Sequence, residues 1–171
     1  MEELEQYGRV NFFRFHNVSV NQDQIQQTDE TVLKICKDNL DIDLCKDDIQ
    51  RSHIIGRINY LGKAQISCRF RNWQIKNQVY RAKRKLSPSN QKIVITEDLT
   101  NYRRRIINHL SKAKIEGHLD SYWTNDGRLF FKLLSEDNKC WLKIWTTCNP
   151  TYQVNITHDL TYILFNYLVK L

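Results

Sequence analysis

Glu97 and Asp98 form the one acidic pair in the most basic stretch of this chain, and paired carboxylates are what metal-dependent phosphodiester cleavage requires. Adjacent residues at a strand end point apart, so the pair predicts structural capping and not a shared metal. The five cysteines (36, 45, 68, 140 and 148) are never closer than eight residues apart, and the five histidines (16, 53, 109, 118 and 158) contain no H-x-x-x-H pair. Neither set has the spacing of a disulfide framework or a zinc knuckle, so no metal, no cofactor and no catalytic residue is expected. Cys36, one turn from Val32 and Leu33, reads as a small core residue and not as a nucleophile. What remains with chemistry in it is positive charge.

The 26 Lys and Arg against 19 Asp and Glu leave a net charge of +7, and the excess is segregated. Residues 1–50 hold 5 basic and 11 acidic side chains, net −6; residues 51–118 hold 16 and 3, net +13; residues 119–171 hold 5 and 5, net zero. Such a local excess repels itself and is most simply explained by a polyanionic partner, with nucleic acid first and an acidic membrane surface second. The membrane reading lacks support, because neither end carries a lipidation motif and no apolar run approaches the roughly 18 residues of a spanning helix. The start, Met1-Glu-Glu-Leu-Glu-Gln, is acidic with no apolar h-region, which predicts an intracellular chain, and a nucleic-acid partner would place such a chain in a cytoplasmic ribonucleoprotein or the nucleus. Asn155-Ile-Thr157 is a glycosylation sequon that such a chain does not use.

The elements that would carry these charges can be read from periodicity. Val10 to His16 is short, aromatic and β-prone, a first strand on which Phe12, Phe13 and Phe15 cannot all face one side. Thr28 caps a helix over 29–40, with Asp29 and Glu30 in its first turn and Val32, Leu33, Cys36 and Leu40 on one face. Ile49 to Ile55 and Ala64 to Phe70 read as strands joined by a basic loop with Arg57, Gly62 and Lys63. Asn72 caps a second helix whose buried stripe is Ile75, Val79, Ala82 and Leu86, its other faces displaying Lys76, Arg81, Lys83, Arg84 and Lys85. Lys92 to Thr96 is a fourth strand. The result is an α+β chain with a βαββαβ order over residues 10–98, that of the ferredoxin-like sandwich of RNA-recognition modules. Thr100 caps a third helix with Tyr102, Ile106, Leu110 and Ala113 buried, and Leu119–Thr124 and Arg128–Leu134 flank an Asp-Gly hairpin turn, making a small α+β C-terminal domain over 99–134.

RNA-recognition modules stack bases on aromatics of their first and third strands, but here Lys63-Ala-Gln-Ile-Ser-Cys-Arg-Phe70 places Gln65 and Ser67 where rings belong. Binding is therefore expected to rest on phosphate contacts, with poor sequence discrimination.

Five blocks occur in one order: Leu4-Glu-Gln-Tyr-Gly-Arg-Val-Asn, Asp48-Ile-Gln-Arg-Ser-His-Ile-Ile-Gly-Arg57, Val79-Tyr-Arg-Ala-Lys-Arg-Lys-Leu86, Ile95-Thr-Glu-Asp-Leu-Thr100 and Tyr122-Trp-Thr-Asn-Asp-Gly-Arg-Leu129. Together they resemble the nucleic-acid-binding part of the first open reading frame protein of LINE-type retrotransposons, and the related baculovirus few-polyhedra protein, over about residues 3–134. The resemblance implies an RNA-recognition-like domain and a small C-terminal domain gripping single-stranded nucleic acid between them, with RNA-coating, chaperone-like activity. Its matching basic positions are Arg51, Arg57, Arg81, Lys83, Arg84, Arg103, Arg104, Arg105 and Arg128. It also implies that residues 1–9 are the end of a coiled-coil helix through which members trimerise and which is missing here. Residues 135–171 diverge, and Leu160, Ile163, Leu164, Tyr167, Leu168 and Leu171 are spaced as a terminal helix. The competing reading is a protein-interaction adaptor like the viral relative, with nucleic-acid binding lost.

Overall fold

The computed structural model describes residues 2–20, 26–86, 93–134 and, for the backbone, 139–142. In chain order its elements are α1 (Glu2–Tyr7), β1 (Phe12–Ser19), α2 (Thr28–Leu40), β2 (Ile49–Ile55), β3 (Lys63–Phe70), α3 (Trp73–Ala82), β4 (Val94–Glu97), α4 (Asn101–Ile115), β5 (Leu119–Asn125), β6 (Arg128–Leu133) and β7 (Lys139–Leu142). The chain is of mixed α+β class with antiparallel sheets, and it divides into two compact units, Val10–Asp98 and Met1–Arg9 with Leu99–Leu171.

In the Val10–Asp98 unit four strands run in the order β2-β3-β1-β4, every neighbouring pair antiparallel. Strand alternation settles what the three phenylalanines of β1 do. Phe13 and Phe15 are fully buried with Ile66, Phe70 and Ile95 against Val32, Leu40 and Val79 of the two helices, while Phe12 points to the opposite face. Fully burying each such ring contributes about 1.5–3 kcal/mol, and Phe13 also meets Phe70 edge-on at 6.0 Å between centroids. The strand begins two residues later than periodicity predicts and reaches Ser19, with an irregularity between Phe15 and Val18 that keeps Val18 in the core.

Local rules hold at some helix starts and fail at others. Asn72 caps α3 as expected, its Oδ1 accepting from the Ile75 amide at 3.0 Å, and a short 3₁₀ turn, Lys83–Leu86, continues the helix. Thr28 does not cap α2. It is the first helical residue, 5% exposed, and its Oγ1 accepts from Ser52 Oγ of β2 at 2.6 Å, because a hydroxyl drawn against the sheet is no longer aimed at its own helix amides. Lys76, expected on an outer face of α3, is instead wholly buried, for the reason given below.

The second unit is built on α4, capped by Thr100 Oγ1, which accepts from the Arg103 amide at 3.3 Å. Its buried stripe, Ile106, Leu110 and Ala113, packs with Leu99 against Leu119, Leu129, Phe131 and Leu133 of the sheet. Asp126 and Gly127 both take positive φ, 50° and 75°, which gives the tight hairpin that the Asp-Gly dipeptide predicts. A side chain at Gly127 is excluded twice over, since its Cβ would stand 2.6 Å from Gln6 Nε2 of α1. Gln6 itself is 3% exposed and accepts the Thr100 amide on Oε1 at 2.9 Å, so α1 is stitched to α4 and to the β5–β6 turn. The sheet gains a third strand, β7, paired to β6 beyond residue 134. The terminal-helix expectation for 160–171 and the sequon at Asn155 lie outside the described residues. No helix among the described residues is long and apolar enough to cross a membrane.

Candidate nucleic-acid interface

A basic residue can serve a polyanion only if the fold leaves its charge unused, and several of the cations counted above are consumed internally. Lys76 Nζ lies 2.6 Å from Glu97 Oε1, with the two side chains 0% and 3% exposed, and sits 5.3 Å from the Phe13 ring and 5.6 Å from the Tyr80 ring. A buried ammonium is tolerated only when paired in this way. Arg14 closes on the next carboxylate, with Nε 2.6 Å and Nη2 2.5 Å from Asp98 Oδ1. Glu97 faces the helices and Asp98 meets the opposite sheet face, so the acidic pair does point apart, and each member neutralises one cation. Among the described residues no three His, Cys, Asp or Glu side chains gather where they could hold a metal ion.

Arg103 is a correction. The expectation places it with Arg104 and Arg105 among the nucleic-acid-binding residues, whereas it is 8% exposed and turned inward. Its Nε and Nη2 donate to Oε1 and Oε2 of Glu2 at 2.7 and 3.1 Å, and Nη1 donates to the Gly127 carbonyl at 2.7 Å. The three consecutive arginines fan around α4, as their 100° steps require, and the first of them falls on the side where α1 and the β5–β6 turn supply acceptors. Its guanidinium is therefore a structural clamp.

The face of the first sheet opposite the helices carries the remaining arrangement. Cross-strand register puts Phe12 of β1 beside Arg69 of β3, and Arg69 beside Arg51 of β2. Both guanidinium carbons stand over the Phe12 ring, 5.5 Å (Arg51) and 5.3 Å (Arg69) from its centroid. Phe12 is thereby reduced to 8% exposure, its ring serving the arginines. Arg69 Nε is a buried donor with no acceptor among the described residues. Leaving such a donor unmet costs about 1–3 kcal/mol, and two guanidinium groups stacked on one ring, neither with a carboxylate partner among the described residues, form a place for an anion.

Arg69 escaped the sequence reading although a signal for it exists: Ala64, Ile66, Cys68 and Phe70 are the inward positions of β3, which leaves Lys63, Gln65, Ser67 and Arg69 for the other face. On the same face His16 is held between Thr96 Oγ1 at 2.8 Å and Gln65 Nε2 at 2.6 Å, and burial, with Arg14 second, lowers its pKa from the usual 6.5. The core thiols carry no chemistry: burial pushes Cys36 up to about 12 and raises Cys68 as well, where nearby Cys36 and Asp29 add to the effect.

The other expected positions are dispersed. Arg57 is exposed in the loop after β2. Arg81 and Arg84 are exposed on α3 and its 3₁₀ extension, on the helix side of the unit and away from Arg51. Lys83 is half-buried, its Nζ 4.1 Å from the Tyr80 ring centroid, and burial lowers its pKa, opposed by Glu97 and reinforced by Lys76. Arg104, hydrogen-bonded to Asn101, and Arg105 are exposed on α4, and Arg128 is exposed on β6, all in the second unit. Of the expected set, then, only Arg51 belongs to the guanidinium pair on Phe12. The chain matches no family model and no curated protein.

Proposed function

We propose that this chain is a non-enzymatic, sequence-tolerant binder of single-stranded nucleic acid, RNA foremost, and that the sheet face of the Val10–Asp98 unit opposite its helices grips its phosphates. The observation that carries this reading is the Arg51 and Arg69 pair on Phe12, two guanidinium groups without a carboxylate partner among the described residues, on the sheet face opposite the unit's own helices. The strand order β2-β3-β1-β4 with helices on one side supports the finer assignment of an RNA-recognition-like, ferredoxin-like domain. The resemblance to the first open reading frame protein of LINE-type retrotransposons supports the same class, with RNA coating and chaperone-like activity as its biological form. Because Phe12 is covered by arginine, that ring is withheld from base stacking, which agrees with weak sequence preference.

Fluorescence anisotropy of a labelled single-stranded oligonucleotide, titrated at several salt concentrations, tests the proposal. Log affinity should fall with log salt at about −0.7 per phosphate contacted. The double variant Arg51→Gln/Arg69→Gln removes two contacts, so its slope should be shallower by about 1.4. Affinity that ignores salt, or a double variant with the parental slope, would overturn the assignment.

A further inference from the structure

If the sheet holds phosphates through arginines that cover its outward phenylalanine, a stacked base is better served by a ring elsewhere. The described part of the Val10–Asp98 unit presents one far into solvent. Tyr60, at the tip of the loop between β2 and β3, is 94% exposed, and its neighbour Leu61 is 65% exposed. The loop that lifts them is tightly built. Asn59 Oδ1 accepts from the amides of Leu61 at 3.0 Å and Lys63 at 2.8 Å, the Asn59 amide donates to the Lys63 carbonyl at 2.9 Å, and the Gly62 amide donates to the Asn59 carbonyl at 3.0 Å. Gly62, at φ 68°, passes its carbonyl to the Val20 amide at 3.0 Å, which ties the loop to the end of β1. An aromatic side chain held out of the core by so many backbone hydrogen bonds has lost loop entropy in advance, which favours a contact made by that ring.

Charge identifies the occupant. Arg57 precedes the tip, exposed, and Lys63 follows it with Nζ held 2.6 Å from Ser19 Oγ of β1. A flat, exposed ring with a cation three residues before it and another three residues after it in the chain matches a nucleobase attached to a phosphate chain. The hairpin is also continuous with the phosphate-gripping face, since Arg51 and Arg69 are cross-strand partners at the other end of the same two strands.

We infer that Tyr60 is a base-stacking residue of this protein, with Arg57 and Lys63 holding the adjoining phosphates; the inference rests on the nucleic-acid reading of the sheet face. One ring stacked on one base is worth roughly a five- to 150-fold change in affinity. The test compares a single-stranded oligonucleotide with an abasic deoxyribose-phosphate oligomer of equal length, against the full chain and its Tyr60→Ala and Tyr60→Phe variants. Tyr60→Ala should lose roughly five- to 150-fold on the base-bearing strand and nothing on the abasic one, while Tyr60→Phe keeps both affinities. Circular dichroism should show all three proteins equally folded, as expected for so exposed a position. If both oligomers bind the parent protein and Tyr60→Ala weakens neither, or weakens both alike, base stacking by Tyr60 is refuted and the phosphate-binding reading stands. If the parent protein binds neither oligomer, both proposals fall. Sedimentation with phosphatidylserine vesicles that Tyr60→Ala abolishes, with oligonucleotide discrimination intact, would also overturn the inference and assign the loop to a membrane surface.

Discussion

Replacing Arg103 by lysine separates two roles that a cation on α4 can have. A phosphate ligand needs positive charge in reach of the backbone, and lysine supplies it. A clamp between Glu2 and the Gly127 carbonyl needs the planar fork, and lysine does not supply that. Arg103 makes three charge-assisted hydrogen bonds, at 2.7, 3.1 and 2.7 Å, with its side chain 9% and that of Glu2 11% exposed, so solvent does little to screen them. Losing two such bonds at about 1.5 kcal/mol each gives about 3 kcal/mol for Arg103→Lys. Arg103→Met strands a nearly buried carboxylate and should cost about 3–5 kcal/mol. In a chain of this length about 3 kcal/mol corresponds to a fall of about 6–12 °C in melting temperature. Glu2→Gln should behave like Arg103→Met, and the double variant should cost less than the sum of the two, because each single change destroys the same pair. Differential scanning calorimetry reads these values, and anisotropy at a temperature where every variant is folded reads binding, which should hold. Unchanged melting in Arg103→Lys, with binding lost only in Arg103→Met, would refute the clamp and return Arg103 to the nucleic-acid surface.

Two further outcomes follow from groups packed in the first unit. Lys76→Met should cost about 3–5 kcal/mol by taking the ammonium at 2.6 Å away from the buried Glu97 carboxylate, and Lys76→Met/Glu97→Met should recover most of it, read by urea titration; a double variant as unstable as the single one would refute the pairing argument. The pKa of His16 is lowered from 6.5 chiefly by burial, so the unfolded chain holds that proton more tightly than the folded one. Stability from this group is therefore complete above pH 6.5 and is lost as pH falls below it toward the lowered folded value, and His16→Gln should flatten that acid limb in melting curves; an unaltered limb would refute it.

Much of the architecture was legible because it depends on period and on local chemistry. The helices over 28–40, 73–82 and 101–115 follow their apolar stripes, Asn72 and Thr100 cap where their side chains reach a backbone amide, and Asp126-Gly127 turns because both residues accept positive φ. The candidate site was legible only in its kind. Net charge announces cations but not their partners: Lys76 reads as a surface lysine until Glu97, 21 residues away, comes beneath it, and Arg103 reads as one of three equal arginines until Glu2, 101 residues earlier, is brought against it. Arg69 shows the converse, an arginine inside a degenerate strand motif that cross-strand register sets on Phe12 beside Arg51.

By itself the sequence determined the class of fold, the Asp-Gly turn, the caps at Asn72 and Thr100 and the presence of a large cationic excess in residues 51–118, all of which arise from interactions within a few residues or from composition. Tertiary structure alone decided which of those cations are free, because neutralisation is a contact between residues far apart in the chain, and the energy of a buried charge depends on what lies within about 4 Å of it and not on its neighbours in sequence.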